Sequence, residues 1–298
     1  MKSSPSMKSA LADLSLVTVS LFWGLSFVAM KDALDSFPTF WLLVLRFTAA
    51  ALLMAVIFRR KVSSMTMKDV RAGIIVGFFL FLGYATQTLG LNYTTPGKQA
   101  FLTSTYVVIV PFLYWALRRV SPGPLSFAAS LICLVGMALL SLQEDAGIGV
   151  GDTLTFACAF FFALHIIVIE HFVVDTDPLV LTTLQIVMVA VLSLPAALLF
   201  ETWPGFGDGS GLWSIAYTVV LCTVVAFAVQ NTAQKYTPST HVSILLSLEA
   251  VFGALAGVYF MNEVFTSQMI AGCVLIFVAV LLTVSGPSLL KLVSPKRT

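Results

Sequence analysis

Charge is what this sequence has least of: Asp, Glu, Lys and Arg together make up 10% of its 298 residues, against roughly a quarter in a soluble domain. Hydrophobic residues reach 59% and the mean hydropathy is +0.99. A water-soluble fold cannot hide that much apolar surface, which excludes one. The net charge is only +2 and the basic residues form no continuous face, so a nucleic-acid partner has no electrostatic support. Histidine is scarce, at three residues, and no HExxH, GxxxxGK[ST] or GxSxG pattern occurs. Those absences exclude a zinc protease, an ATP-driven pump and a serine-hydrolase elbow, and lead to the expectation of no enzyme activity, cofactor or metal. The four cysteines, Cys133, Cys158, Cys222 and Cys273, lack paired CxxC spacing and lie inside apolar runs. They read as small core hydrophobes.

What is present is long apolar segments. A bilayer core of about 30 Å needs roughly 17–25 apolar residues per helix, because every backbone amide must find its partner inside the segment. Ten stretches qualify: 12–30, 38–58, 72–91, 99–117, 124–142, 153–173, 178–200, 212–234, 240–261 and 266–284. The first follows Lys2 and Lys8 like a signal peptide, but it runs on to Met30 without a small-residue cleavage site, so it reads as a span. Short turns separate the stretches, among them Lys31 to Phe37, Asn92 to Gly97, Ser121-Pro122-Gly123 and Trp203-Pro204-Gly205 to Gly211.

Lys and Arg accumulate in short cytoplasmic loops. With both termini inside, the cytoplasmic set is Lys2, Lys8, Arg59, Arg60, Lys61, Lys68, Arg71, Arg118, Arg119, Lys235, Lys291, Lys296 and Arg297, against Lys31 and Lys98 outside. The sixteenth basic residue, Arg46, falls within a span. The expectation is an all-α integral membrane protein of the bacterial cytoplasmic (inner) membrane with both termini cytoplasmic.

The chain also matches itself. At an offset of 143 residues Gln87 falls on Gln230, Tyr93-Thr94 on Tyr236-Thr237, Leu102 on Leu245 and Ser104 on Ser247; at 140, Phe22 falls on Phe162, Asp35 on Asp175 and Pro38 on Pro178. Both offsets pair spans one to five with six to ten, predicting five-helix repeats over 12–142 and 153–284, with tails 1–11 and 285–298. An odd number of spans inverts the second repeat. Inverted repeats are a recurring plan of secondary transporters, with the substrate held near the midplane between the halves.

Polar residues at that depth are the candidate site. Arg46, mid-span in the second helix, needs a partner: a structural carbonyl or carboxylate, or a substrate carboxylate clamped bidentately. Glu249, mid-span in the ninth, is suited to pairing with Arg46, binding a substrate ammonium, or carrying a coupled proton. Tyr106 is its repeat equivalent, a second polar tip or a core tyrosine. Trp23 either walls a cavity or packs, and His165 is a proton relay or a satisfied core histidine. Gln87 and Gln230, toward the outer and inner ends of their spans, are gate candidates and Ser104 and Ser247 polar-lining candidates, or all are interhelical glue. Gly73-x3-Gly77 and Gly253-x3-Gly257 read as close-packing signals.

Phe22-Trp23-Gly24 in the first helix, Pro38 with Arg46-Phe47 in the second, Tyr93-Thr94-Thr95 through Ser104 in the fourth, and Leu248-Glu249 with Asn262-Glu263 around the ninth resemble the EamA type of the drug/metabolite transporter superfamily. The resemblance covers essentially the whole chain and implies ten helices in two repeats and export of amino acids, related metabolites or drugs, sometimes uptake. Ala250 stands where the family often has Pro, which predicts a straighter ninth helix, and Val120 replaces the first-half counterpart of Glu263. The expected partners are a small-molecule substrate, the lipid bilayer and protons as coupling ion, without ATP, in a monomer or a dimer. The rival readings are a membrane enzyme acting on lipid-linked substrates, and a receptor or scaffold that transports nothing.

Overall fold

The computed structural model describes residues 7–141, 149–206, 209, 211–261 and 266–293. Lys2, Asn262, Glu263, Lys296 and Arg297 lie outside the described residues. Every regular element among those described is helical: α1 (Met7–Ser36), α2 (Thr39–Ile57), α3 (Arg59–Val62), α4 (Met67–Leu91), α5 (Pro96–Ser104), α6 (Tyr106–Arg118), α7 (Pro124–Ser141), α8 (Val150–Phe172), α9 (Pro178–Phe200), α10 (Leu212–Tyr217), a π-helical segment (Thr218–Val225), α11 (Ala226–Ala233), α12 (Ser239–Leu246), α13 (Leu248–Met261) and α14 (Ser267–Val293). Among the described residues nine helices are long and apolar enough to cross a membrane, and a shorter apolar helix covers Pro124–Leu139.

Local chemistry starts several of these helices. Thr66 and Asp69 form a reciprocal capping box at α4, Thr95 caps α5 with Pro96 in its first turn, and Asp177 caps α9 ahead of Pro178. Glu201 follows α9 and its carboxylate accepts the Phe40 and Trp41 amides at 2.9–3.0 Å. One half thereby satisfies the free N–H groups at the start of α2 in the other.

Several expected boundaries need correction. α1 begins at Met7, inside the predicted N-terminal tail, and runs through Ser36, so the predicted turn is helical from Lys31 to Ser36. Its polar residues are absorbed by neighbours: Lys31 Nζ donates to the Leu91 carbonyl at 2.8 Å and Asp32 accepts from Ser214 at 2.6 Å. α14 continues to Val293, into the predicted C-terminal tail. With Ala250 in place the ninth span is still interrupted at Ser247, as the fourth is at Thr105. Thr105 and Ser247 turn back onto their own helices, their hydroxyls donating to the carbonyls three residues earlier. Such bonds compete locally with the helix ladder, although the same pattern at Ser15, Ser20 and Ser26 leaves α1 continuous.

The burial pattern is that of a protein dissolved in lipid. Leu199, Phe200, Trp213 and Tyr259 are exposed, whereas Thr182, Gln185, Asn231 and Ser243 are buried. α2 packs on α9 and α7 on α14, each the counterpart of the other at the repeat offsets. α4 packs on α8 and α9, and α1 on α13 and on the α10–π–α11 helix. Glycine allows the closest approaches. A Cβ on Gly24 would lie 2.6 Å from the Phe252 Cβ and 2.7 Å from the Glu249 carbonyl oxygen, and Gly73 and Gly77 meet Leu184 and Met188 of α9. Gly253 meets its neighbours only at ordinary contact distance.

Candidate functional site

The central helices line a shared cavity of about 50 Å³. Its walls are helical stripes: Trp23, Ser26, Phe27 and Met30 on α1, and Tyr84, Gln87, Thr88 and Leu91 on α4, share the i, i+3, i+4, i+7 spacing of a single helix face. Pairs of wall positions are related by the offset of 143, among them Tyr84 and Phe227, Gln87 and Gln230, Thr103 and Leu246, and Tyr106 and Glu249.

Arg46, on α2, is 1% exposed. Its Nε donates to Thr223 Oγ1 at 2.8 Å, Nη1 meets Met30 Sδ at 3.4 Å and Nη2 donates to Tyr84 Oη at 3.2 Å. The guanidinium carbon lies 4.7 Å from the Tyr84 ring centroid and 5.3 Å from that of Phe47, a geometry in which the aromatic faces offset part of the charge. The anticipated pair with Glu249 is absent, because Arg46 is turned onto Thr223 and Tyr84 while Glu249 is held by the other half. Among the described residues the salt bridges are Lys61–Asp177 and Lys98–Asp152. A guanidinium has five N–H donors. Three acceptors leave two unused.

Glu249 is 3% exposed and opens α13 just past the break at Ser247. Ser104 Oγ and Tyr106 Oη donate to its Oε1 at 3.0 and 3.1 Å, so Tyr106 bonds its own repeat equivalent. No donor among the described residues reaches Oε2. Among the described residues, the cavity therefore carries a cation with no anion and a carboxylate with no cation.

Trp23 donates from Nε1 to the Cys222 carbonyl at 2.9 Å and its ring lies 5.4 Å from that of Phe227. His165 pairs through Nε2 with Gln185 Oε1 at 2.9 Å. Gln87 donates to Thr103 at 3.4 Å and Gln230 to Gln234 Oε1 at 3.2 Å. Trp23, Arg46, Gln87, Tyr106, His165, Gln230 and Glu249 all line the one cavity. Ser104 touches it through Glu249, whereas Ser247 turns to Ile244 and Cys133.

Sequence reasoning missed Tyr84 and Thr223. Tyr84 was readable, being three residues before Gln87 on the same face of α4. Thr223 was not, because a π turn presents it. Its hydroxyl donates to the Thr218 carbonyl five residues back, at 2.8 Å, while accepting from Arg46. π turns recur at functional sites. Here the segment also supplies the Cys222 carbonyl to Trp23. Among the described residues no cluster of three or more His, Cys, Asp or Glu could hold a metal.

The profile of the EamA-like transporter family matches this chain twice, over residues 10–142 and 149–285. An uncharacterized transporter of Archaeoglobus fulgidus is 34% identical over 284 residues, covering 93% of this chain and 86% of the relative. The uncharacterized transporter YoaV of Bacillus subtilis is 23% identical over 88% of this chain and 93% of its own. A solved structure titled only as the crystal structure of a protein superposes with a TM-score of 0.78 over 96% of this chain and 99% of that one, at 19% identity, a likeness of fold.

Proposed function

The chain belongs to the EamA-like transporter family, and from that premise we propose that it is a secondary transporter of a small zwitterion, an amino acid or a close relative, in the bacterial cytoplasmic membrane. On this reading ten spans form two inverted five-helix repeats, both termini face the cytoplasm, and the repeats rock about the central cavity in alternating access. The observation that carries the substrate class is the pair of incomplete charges lining one cavity. Arg46 keeps two N–H donors for a carboxylate, and Glu249 Oε2 is free for an ammonium. An ionised group at this depth is costly without a counter-charge, and a zwitterion supplies both counter-charges at once. Export is the direction the family resemblance implies, and Glu249 is the group to carry a coupled proton, exchanging it for the substrate ammonium.

Counterflow of radiolabelled L-α-amino acids in proteoliposomes tests the reading. The wild type should accumulate at least one of them. Glu249→Gln should stay folded, since its amide oxygen still accepts from Ser104 and Tyr106, yet lose pH-dependent flux. If every amino acid fails in both orientations, or if Glu249→Gln retains wild-type flux and pH dependence, the reading is wrong.

A further inference from the structure

Gln230 is 1% exposed, lines the cavity, and is the second-half counterpart of Gln87. Its side-chain orientation is dictated by a chain that ends on the backbone. The Ile166 carbonyl only accepts, so the nitrogen of the Gln234 amide must face it, at 2.9 Å. Gln234 Oε1 is thereby turned to Gln230, and only the nitrogen of Gln230 can meet it, at 3.2 Å. The oxygen of Gln230 is left facing away from Gln234. It is buried, with no partner among the described residues. The Thr88 hydroxyl on the same cavity is also unpartnered, but it can rotate onto a helix carbonyl, an escape that an amide locked at its other end lacks.

We propose that Gln230 Oε1 is a ligand acceptor that takes an N–H of the substrate's cationic head, so that the cavity selects primary ammonium groups over N-methylated ones. This rests on the reading of the cavity as a zwitterion site. An amide oxygen cannot meet a carboxylate, which has no proton to give, so it belongs to the end of the ligand opposite Arg46. Glu249 supplies the charge there. It discriminates only in part, since its charge attracts a trimethylammonium too, while its Oε2 takes just one N–H of a primary ammonium. A fixed neutral acceptor does discriminate, since a primary ammonium offers three N–H donors and a trimethylammonium none.

The test is flux in proteoliposomes with L-leucine, L-methionine and L-threonine, each beside its N,N,N-trimethyl derivative, for the wild type, Gln230→Leu and Gln234→Met, all checked for folding by thermal melting. The wild type should prefer the primary form by about tenfold or more, the effect of one hydrogen bond to a charged group. Gln230→Leu should bring that ratio within about threefold. Gln234→Met keeps the acceptor but frees it to turn, and should fall between; the Ile166 carbonyl still accepts from Ser239 Oγ at 3.1 Å, so the fold is spared. An unchanged ratio in Gln230→Leu, or no preference in the wild type, overturns the proposal. If the wild type carries none of the three zwitterions, isobutylamine and its trimethylammonium analogue are run next. Discrimination between these two amines that Gln230→Leu abolishes sustains the acceptor role while sinking the zwitterion reading, and failure of both series sinks both.

Discussion

Arg46 is a buried cation among an aromatic ring, a thioether and hydroxyls, and its surroundings separate two roles that its position in the sequence leaves open. Were it half of a structural ion pair, removing it would strand a buried carboxylate at a cost of roughly 3–5 kcal/mol. Among the described residues no carboxylate depends on it. Arg46→Met, close in length and apolar, should therefore melt no more than about 1 kcal/mol below the wild type, and above it if the unpaired charge is a net burden. Transport should nonetheless vanish. Arg46→Lys keeps the charge but loses the planar fork, and should cut flux by roughly a hundredfold, the equivalent of about two charge-assisted hydrogen bonds. Differential scanning fluorimetry beside flux on one preparation checks both variants; a collapsed Arg46→Met would restore the structural pair.

Elements carry two further expectations. α1 and α13 touch through Gly24, where a methyl group would meet backbone as well as the Phe252 side chain, so neither neighbour can simply rotate away. Gly24→Ala should cost about 1–3 kcal/mol and displace Glu249, whose carbonyl oxygen is among the atoms struck; equal stability and flux would show that the contact yields. At the other end of the bundle Asp177 both caps α9 and bonds Lys61 at 2.8 Å. Partial burial alone would raise its carboxyl, but the Lys61 ammonium and the Leu179 and Val180 amides outweigh that and hold it below the ordinary carboxylate range. A depressed folded-state value stabilises above the unfolded one, and the contribution is lost as pH falls through it. Asp177→Asn keeps the cap and removes the charge. It should flatten the acid side of the melting profile, by at most about 1 kcal/mol because both partners are exposed, whereas Asp177→Ala should also lose about 1 kcal/mol of capping.

For the whole molecule, the distribution of positive charge is the testable quantity. Lys8, Arg59, Arg60, Lys61, Lys68, Arg71, Arg118 and Lys235 belong to one end of the helix bundle, and Lys31 and Lys98 to the other. A reporter active only in the periplasm should stay silent when fused after Thr298, and a cysteine replacing Lys98 should react with an impermeant thiol reagent added outside intact cells. The opposite pattern in both would invert the topology.

The sequence by itself determined the medium, because a chain this apolar has no stable aqueous fold, and it determined that the long elements are helices, since a backbone crossing lipid must close its own hydrogen bonds. It also singled out the deep polar residues: Arg46, Glu249, Tyr106, Gln87 and Gln230 are recognisable because each is expensive in lipid and must be turned inward. Their partners were decided by tertiary structure. Whether Arg46 meets Glu249, or meets Thr223 across a π turn, depends on helix rotation and on one extra residue in a turn, and neither leaves a trace in hydropathy. The same holds for the break at Ser247, and for the orientation of Gln230, which follows from a carbonyl on α8 that lies 64 residues away in the chain.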